Sequence, residues 1–162
     1  MDILEHPNPA LRQKAAEVAP DTDKDIARLV KTMTKVMHDA PGVGLAATQL
    51  GVQKRVIVVD VDDELMALCN PVIIEVSRET EIDDEGCLSL PGLTVAVERP
   101  ARCVCEALDV NGGPLRLEAQ GFFARVLQHE TDHLDGLLII DRATPEERRA
   151  AIRRYREDAE RR

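Results

Sequence analysis

Two histidines four residues apart constrain this chain more than any other feature, because they can act together only if the segment is an α-helix. His129 and His133 enclose Glu130 in the pattern His-Glu-Thr-Asp-His. One helical turn places both imidazoles on the same side, where they can reach one metal ion. Glu130 then lies beside the ion, where its carboxylate can take a proton from bound water. Phe122 and Val126 share this face, so the sequence predicts a histidine-bearing amphipathic helix.

The periodicity of the remaining chain predicts an α+β fold. An apolar stripe with helical spacing covers 24–38, the histidine-bearing helix starts near 121 and ends by Gly136, and a charged helix begins at Pro145. The strand-like segments between and after these helices are 54–61, 68–76, 93–98, 101–110, 114–119 and 137–140, with turns at Pro91-Gly92 and at 111–113. We therefore expect central antiparallel strands packed around the HExxH helix, with one helix N-terminal and one C-terminal to them.

Length and charge set the class of protein. The 162 residues fit one domain, 1–162, whose last part (145–162) is the charged helix, and 44% of them are apolar. The formal net charge of −9 disfavours a protein that coats or reads nucleic acid. That charge is uneven, since residues 142–162 contain eight arginines against five acidic residues. A positive helix on an acidic protein is typical either of a solvated helix that closes the domain or of one that docks on a polyanion.

The ends and the cysteines indicate the compartment. Residues 1–20 lack the continuous apolar stretch of a signal peptide, and no segment has the roughly 18 apolar residues of a membrane span. The four cysteines show no spacing typical of a secreted disulfide scaffold. These patterns predict a cytoplasmic protein with reduced thiols and no membrane association.

A catalytic metal site usually needs a third protein ligand besides the two histidines. No histidine follows His133, and Glu146 and Glu147 lie in the charged terminal helix. Cys87 is the alternative, because it follows Gly86 in the segment Glu-Gly-Cys-Leu-Ser, where the glycine frees the backbone. An isolated cysteine is often a buried structural thiol, an interpretation that suits the remaining three better: Cys69, Cys103 and Cys105.

A glycine-rich segment, Gly-Val-Gly-Leu-Ala-Ala-Thr-Gln at 42–49, is the third feature. Its two glycines allow the backbone to approach a ligand closely, and its alanines allow tight packing. Gln49 ends the segment with a neutral amide that can donate to a developing oxyanion. The segment lacks the later glycine and the Lys-Ser/Thr of phosphate-binding loops, which disfavours nucleotide binding.

Together these three segments, GVGLAATQ (42–49), EGCLS (85–89) and QHETDH (128–133), resemble the signature motifs of the peptide deformylase family in order and separation. Similar segments outside the motifs include ILEHPNPALR at the start, KRVIVVD at 54–60 and LDVNG at 108–112. No position that carries the chemistry departs from the family pattern. Phe122 stands where the family usually has leucine.

The resemblance implies an enzyme that removes the formyl group from N-formylmethionyl peptides of newly made proteins, with metal-bound water as nucleophile. It implies Cys87, His129 and His133 as metal ligands and Glu130 as general base and acid. Gln49 and the backbone N–H of Leu88 match the donors that stabilise the tetrahedral intermediate, and Gly44 matches a position whose backbone holds the substrate peptide. We expect the methionine pocket to be lined by Val43, Phe122 and Val126 and by the aliphatic stem of Arg125.

The resemblance also implies one divalent ion per chain, with iron(II) as the native metal and zinc, nickel or cobalt able to replace it. The expected partners of the protein are formylmethionyl nascent chains. The arginine-rich terminal helix is a candidate for transient docking to the ribosome. Three alternatives are a zinc metallopeptidase that cuts internal bonds, a structural zinc protein and an inactive relative. Cys87 and the motif order disfavour the metallopeptidase. The structural zinc protein is disfavoured because the sequence offers no fourth ligand. Intact Glu130 and Gln49 disfavour the third.

Overall fold

The structure, a computed structural model, describes all 162 residues. Three helices and seven strands follow one another in this order: α1 (Ile26–Asp39), β1 (Gly44–Ala46), β2 (Val56–Val61), β3 (Glu64–Val76), β4 (Thr80–Cys87), β5 (Leu90–Pro100), β6 (Arg102–Leu108), β7 (Pro114–Gln120), α2 (Gly121–Leu134) and α3 (Pro145–Arg161). Short 3₁₀ turns occupy Pro9–Arg12, Ala47–Leu50 and Ile139–Asp141. None of the helices has the length and apolarity needed to cross a bilayer.

The strands form two antiparallel sheets. Five of them make the larger sheet, in the spatial order β1-β2-β3-β6-β7, and β4 pairs only with β5 in a separate two-stranded sheet. The histidine-bearing helix α2 lies among these strands, with α1 before and α3 after it in the chain. The predicted α+β fold, with antiparallel strands around the HExxH helix, is therefore confirmed.

The two faces of β2 explain where the helices pack. Ile57 shares a buried cluster with Leu127 of α2, whereas its neighbour Val58 shares another with Met33 of α1. Successive side chains of a strand point to opposite faces, so α1 and α2 cover opposite sides of the larger sheet. The third helix, α3, buries Tyr155 in a cluster with β5. Helix α2 thus lies between the larger sheet and the small hairpin, where its histidines face β4.

Two local predictions are wrong. The turn expected at Pro91-Gly92 lies instead at Leu88 and Ser89, because Cys87 pairs with Leu90 across it and the acidic segment before it forms β4. Pro91 and Gly92 belong to β5, in a bulge opposite Gly86 and Cys87 where the register shifts.

The short strand expected at 137–140 is also absent, since residues 139–141 form a 3₁₀ turn. The side chain of Asp141 accepts a hydrogen bond from the backbone N–H of Leu138 (2.8 Å), which closes this turn locally. A polar side chain that bonds its own backbone in this way competes with strand pairing.

Candidate active site

A cleft of about 680 Å³ opens between the small hairpin, the loop that enters β1 and helix α2. Each of the three sequence motifs supplies one wall. The glycine-rich segment contributes residues 42–44 and Gln49, the end of β4 contributes 83–88, and α2 contributes its histidine face. Residues far apart in the sequence therefore line one cavity.

Cys87, His129 and His133 form a cluster whose ligand atoms all lie within 4.8 Å of one another. The Sγ atom of Cys87 is 3.3 Å from Nε2 of His133, and the two imidazole centroids are 5.1 Å apart. One thiolate and two imidazoles are a suitable donor set for a borderline divalent ion such as iron(II) or zinc. These three residues would hold such an ion at the cleft.

Glu130 lies beside this cluster and is 5% exposed. Its Oε1 atom is buried without any hydrogen-bond partner in the protein. An unpaired buried carboxylate oxygen is costly, so its presence here fits a residue that acts on water or substrate in the cleft. A buried carboxylate at this place is also what proton transfer near a bound ion requires.

Gly44 has to be a glycine because Glu130 packs directly on its Cα. A Cβ atom at this position would lie 2.9 Å from both Cγ and Cδ of Glu130, closer than carbon atoms approach without strain. The glycine-rich segment therefore serves close packing of backbone against the carboxylate. Any larger residue would displace Glu130 from the cleft.

The amide of Gln49 is held in one orientation. Its Oε1 atom accepts from the backbone N–H of Ala46 (3.0 Å), so its NH₂ group points to Ser89 Oγ (3.1 Å) and towards Cys87 Sγ (3.8 Å). A fixed amide donor directed at the cluster can stabilise negative charge developing there. Leu88, which follows Cys87 in the turn, lines the same cleft.

The four residues expected to bind methionine all line the cleft, but not all in the expected manner. Val43 and Phe122 stand at its mouth, 43% and 56% exposed, whereas Val126 is buried. Arg125 is also buried, and its guanidinium pairs with Glu85. The expectation that Arg125 contributes its aliphatic stem did not include the ion pair that its charged end forms.

Glu85 is the residue that sequence reasoning missed. Its Oε1 atom accepts from Nδ1 of His129 (2.9 Å) and from Arg99 (3.0 Å), and its Oε2 atom accepts from Arg99 and from Arg125 (both 2.6 Å). A carboxylate on Nδ1 leaves Nε2 of His129 free to ligate and fixes the ring orientation. Its position two residues before Cys87, on the same face of a strand, was the available signal.

Ion pairing extends this network away from the cleft. Arg99 also donates to Asp132 (2.9 Å), and Asp132 in turn accepts from Arg142 (2.7 Å). Arg99 is 4% exposed, so its charge needs both carboxylates. Asp132 belongs to the HExxH segment, so the helical turn that carries the two histidines also carries an anchor for the arginines.

Burial and these contacts set the pKa values. Burial alone would raise the pKa of Glu85, but the hydrogen bonds from His129 and Arg99 outweigh it and hold the pKa at about 2. Burial raises the pKa of Glu130 to about 7, although the charge of His129 opposes this. Two carboxylates of one site thus have well-separated pKa values, the arrangement in which one stays ionised while the other exchanges protons.

The pKa values of the two histidines also diverge. Burial lowers the pKa of His133 well below its usual value, which favours the neutral form that can ligate. Burial alone would likewise lower that of His129, but the carboxylate of Glu130 and the contact with Cys87 raise it well above its usual value. A cation bound between the imidazoles would favour deprotonation of both.

Comparisons with known proteins agree with this geometry. The sequence model of the polypeptide deformylase family matches residues 1–149. A peptide deformylase of Acidothermus cellulolyticus is 49% identical over 150 residues, covering 93% of this chain and 82% of that relative. One of Thermodesulfovibrio yellowstonii is 40% identical and covers 96% of both chains.

A solved structure agrees as well. The crystal structure of peptide deformylase from Thermus thermophilus superimposes with a TM-score of 0.91 at 38% identity, covering 98% of this chain and 95% of that one. Neither the metallopeptidase nor the structural zinc alternative receives support from these relatives. The family match spans all three motifs and every wall of the cleft, and the chain belongs to the peptide deformylase family.

Proposed function

We propose that this protein removes the formyl group from N-formylmethionyl peptides of newly made proteins and releases formate and a free amino terminus. The observation that carries the proposal is the Cys87–His129–His133 cluster with the unpartnered Glu130 oxygen beside it, in one cleft. Such a site suits hydrolysis of a small, accessible amide. We also propose that it acts in the cytoplasm, where polypeptides are made.

The chain's own residues account for the proton transfers. A divalent ion held by the three ligands would act as a Lewis acid and lower the pKa of a bound water. Glu130 takes a proton from the water that attacks the formyl carbon and later gives it to the departing nitrogen, so that the C–N bond breaks to formate and amine. Gln49 and the N–H of Leu88 donate to the oxyanion, and the loss of one such donor costs roughly 3–4 kcal/mol.

Two free strand edges support peptide binding. β1 pairs only with β2, and β4 pairs only with β5, while residues of both line the cleft. An extended peptide can add to such an edge through main-chain hydrogen bonds. We therefore assign Gly44 and the edge of β4 to the peptide backbone, and Val43, Phe122 and Val126 to the methionine side chain.

Iron(II) is the proposed native metal, one ion per chain, with zinc, nickel or cobalt as replacements. The mixed thiolate and imidazole set supports it, because these ligands suit several borderline divalent ions and none is a hard oxygen donor. The hydrogen bond between Nδ1 of His129 and Glu85 also makes the other ring nitrogen, Nε2, a more basic ligand.

Formate release from matched peptides tests the function. We expect turnover of N-formyl-Met-Ala-Ser and none of N-acetyl-Met-Ala-Ser, because the acetyl methyl group has to fit where only a hydrogen stands in the formyl group. An end-blocked peptide without a formyl group serves as the substrate for internal cleavage. Cleavage of that peptide without formate release would show that the metallopeptidase alternative is right.

The helix α3 is proposed to dock on the ribosome, where formylated chains emerge. Its residues Ala151 and Tyr155 are buried against β5, whereas Arg149, Arg153 and Arg156 are exposed. None of these three arginines has a salt-bridge partner, so they present free charge to a polyanion.

Charge reversal tests this docking better than deletion, because deletion would expose the core under α3. The triple variant Arg149→Glu, Arg153→Glu, Arg156→Glu should keep its activity on N-formyl-Met-Ala-Ser and lose salt-sensitive co-sedimentation with ribosomes. The matched control reverses three exposed cations near α1: Lys24→Glu, Arg28→Glu and Lys31→Glu. Equal losses of ribosome binding in both variants would show that only the net charge of the protein matters. Unchanged binding of the α3 variant would exclude the docking role.

A further inference from the structure

The buried guanidinium of Arg125 connects helix α2 to both strands of the small hairpin. It donates to Oε2 of Glu85 (2.6 Å) and to the backbone carbonyls of Glu81 (2.8 Å) and Val97 (3.0 Å). The residue is 7% exposed although it lines the cleft. A buried charge with three acceptors, two of them backbone carbonyls, does more than neutralise a carboxylate.

The strand β4 needs such a tether. A two-stranded hairpin is only marginally stable by itself, and residues 80–84 of β4 are exposed. Other side-chain contacts between β4 and α2 are at its inner end, where His129 meets Glu85 and His133 meets Cys87. The bond from Arg125 to the carbonyl of Glu81 is the contact from α2 that reaches the outer half.

The two bonds to β4 bracket the part of its edge that faces the cleft. Arg125 holds Glu81 on one side and Glu85 on the other, and Asp83 and Asp84 between them line the cleft mouth. We infer that Arg125 is a positioning residue, which holds the free edge of β4 in place for the substrate residues that follow methionine. This inference rests on the proposed function.

The inner end of β4, which carries Glu85 and Cys87, does not need Arg125 to stay in place. Without it, Glu85 still accepts from Arg99 at both oxygens and from His129. Loss of Arg125 should therefore loosen the outer half of β4 and leave the cluster of ligands intact. A lysine cannot replace it fully, because its single ammonium group lacks the planar fork that reaches acceptors on two strands.

The test compares a long and a short formylated substrate in Arg125→Met and Arg125→Lys, with the exposed Arg116→Met on β7 as control. For Arg125→Met we expect kcat/KM on N-formyl-Met-Ala-Ser-Ala to fall about tenfold, mainly through KM, as expected for one or two lost hydrogen bonds. N-formylmethionine amide lacks the later residues, so its kcat/KM should change by less than about threefold. Arg125→Lys should fall in between, and the control should match wild type.

Two further measurements separate positioning from general damage. Metal content per chain should stay at the wild-type value, and amide hydrogen exchange should accelerate in residues 80–84 but not in α1. Equal loss on both substrates, loss of metal or unchanged exchange in β4 would overturn the inference. If wild-type protein released formate from neither substrate, the proposed function would fail, and the exchange measurement would still decide whether Arg125 tethers β4.

Discussion

Replacement of Glu130 with glutamine is expected to lower kcat for formate release by about 100- to 10,000-fold, the usual contribution of a positioned general acid and base. Glutamine has nearly the same size, so it can keep the close packing on Gly44, but it cannot take up and return a proton. Metal content should remain near wild type, because Glu130 lies next to the ligand cluster and is not one of its members.

Two measurements on one preparation check this prediction: formate release from N-formyl-Met-Ala-Ser and metal content per chain. The variant Glu118→Gln, on the exposed side of β7, removes a carboxylate of the same type and should match wild type in both. If Glu130→Gln lost its metal along with its activity, Glu130 would be a ligand and its role as a base would be wrong. If it kept full activity, another residue would have to move the proton.

Replacement of Cys87 with serine is expected to weaken metal binding by more than about 100-fold, since even the loss of an outer partner of a ligand costs 10- to 100-fold. A hydroxyl is a poor substitute for a thiolate on a borderline ion. Only His129 and His133 would remain as ligands, and two imidazoles alone bind the ion weakly. Deformylase activity should fall with metal content and recover in part at high metal concentration.

Metal analysis of protein purified without air checks this second prediction, and it should find iron in the wild type. The control is Cys69→Ser, which changes a buried thiol outside the cleft and should lower stability but not metal content. A thiol reagent should also react slowly with Cys87 in the metal-loaded protein and quickly after chelation. Full metal content and activity in Cys87→Ser would refute the assigned ligand set.

Local periodicity was sufficient to predict the main elements. The apolar stripe predicted at 24–38 corresponds to α1, which begins at Ile26 and ends at Asp39, and the buried segment predicted at 54–61 contains β2. His129 and His133 were placed together because a helical turn brings residues four apart to one side. Such predictions depend only on neighbours within one turn or one strand, and neighbours of that kind are visible in the sequence.

The two local errors arose where strand pairing, and not the composition of the segment, decided the structure. Pro91 and Gly92 have the composition of a turn, but the pairing of Cys87 with Leu90 placed the turn earlier and turned them into a bulge of β5. Residues 137–140 have the composition of a strand, but they pair with none of the seven strands. The register with a partner strand decides such pairing, and composition alone cannot fix it.

The sequence by itself determined the family, the fold class and a short set of chemically suitable residues, because the motifs carry these residues in a specific order. Only the tertiary structure decided which of them meet: Cys87 lies against His133, Glu130 packs on Gly44, and Gln49 turns its amide towards the cluster. The tertiary structure also decided how the charged groups behind the cleft pair. The Glu85 pairs with Arg99 and Arg125 span 14 and 40 positions, and a buried charge takes whichever partner the fold brings within bonding distance.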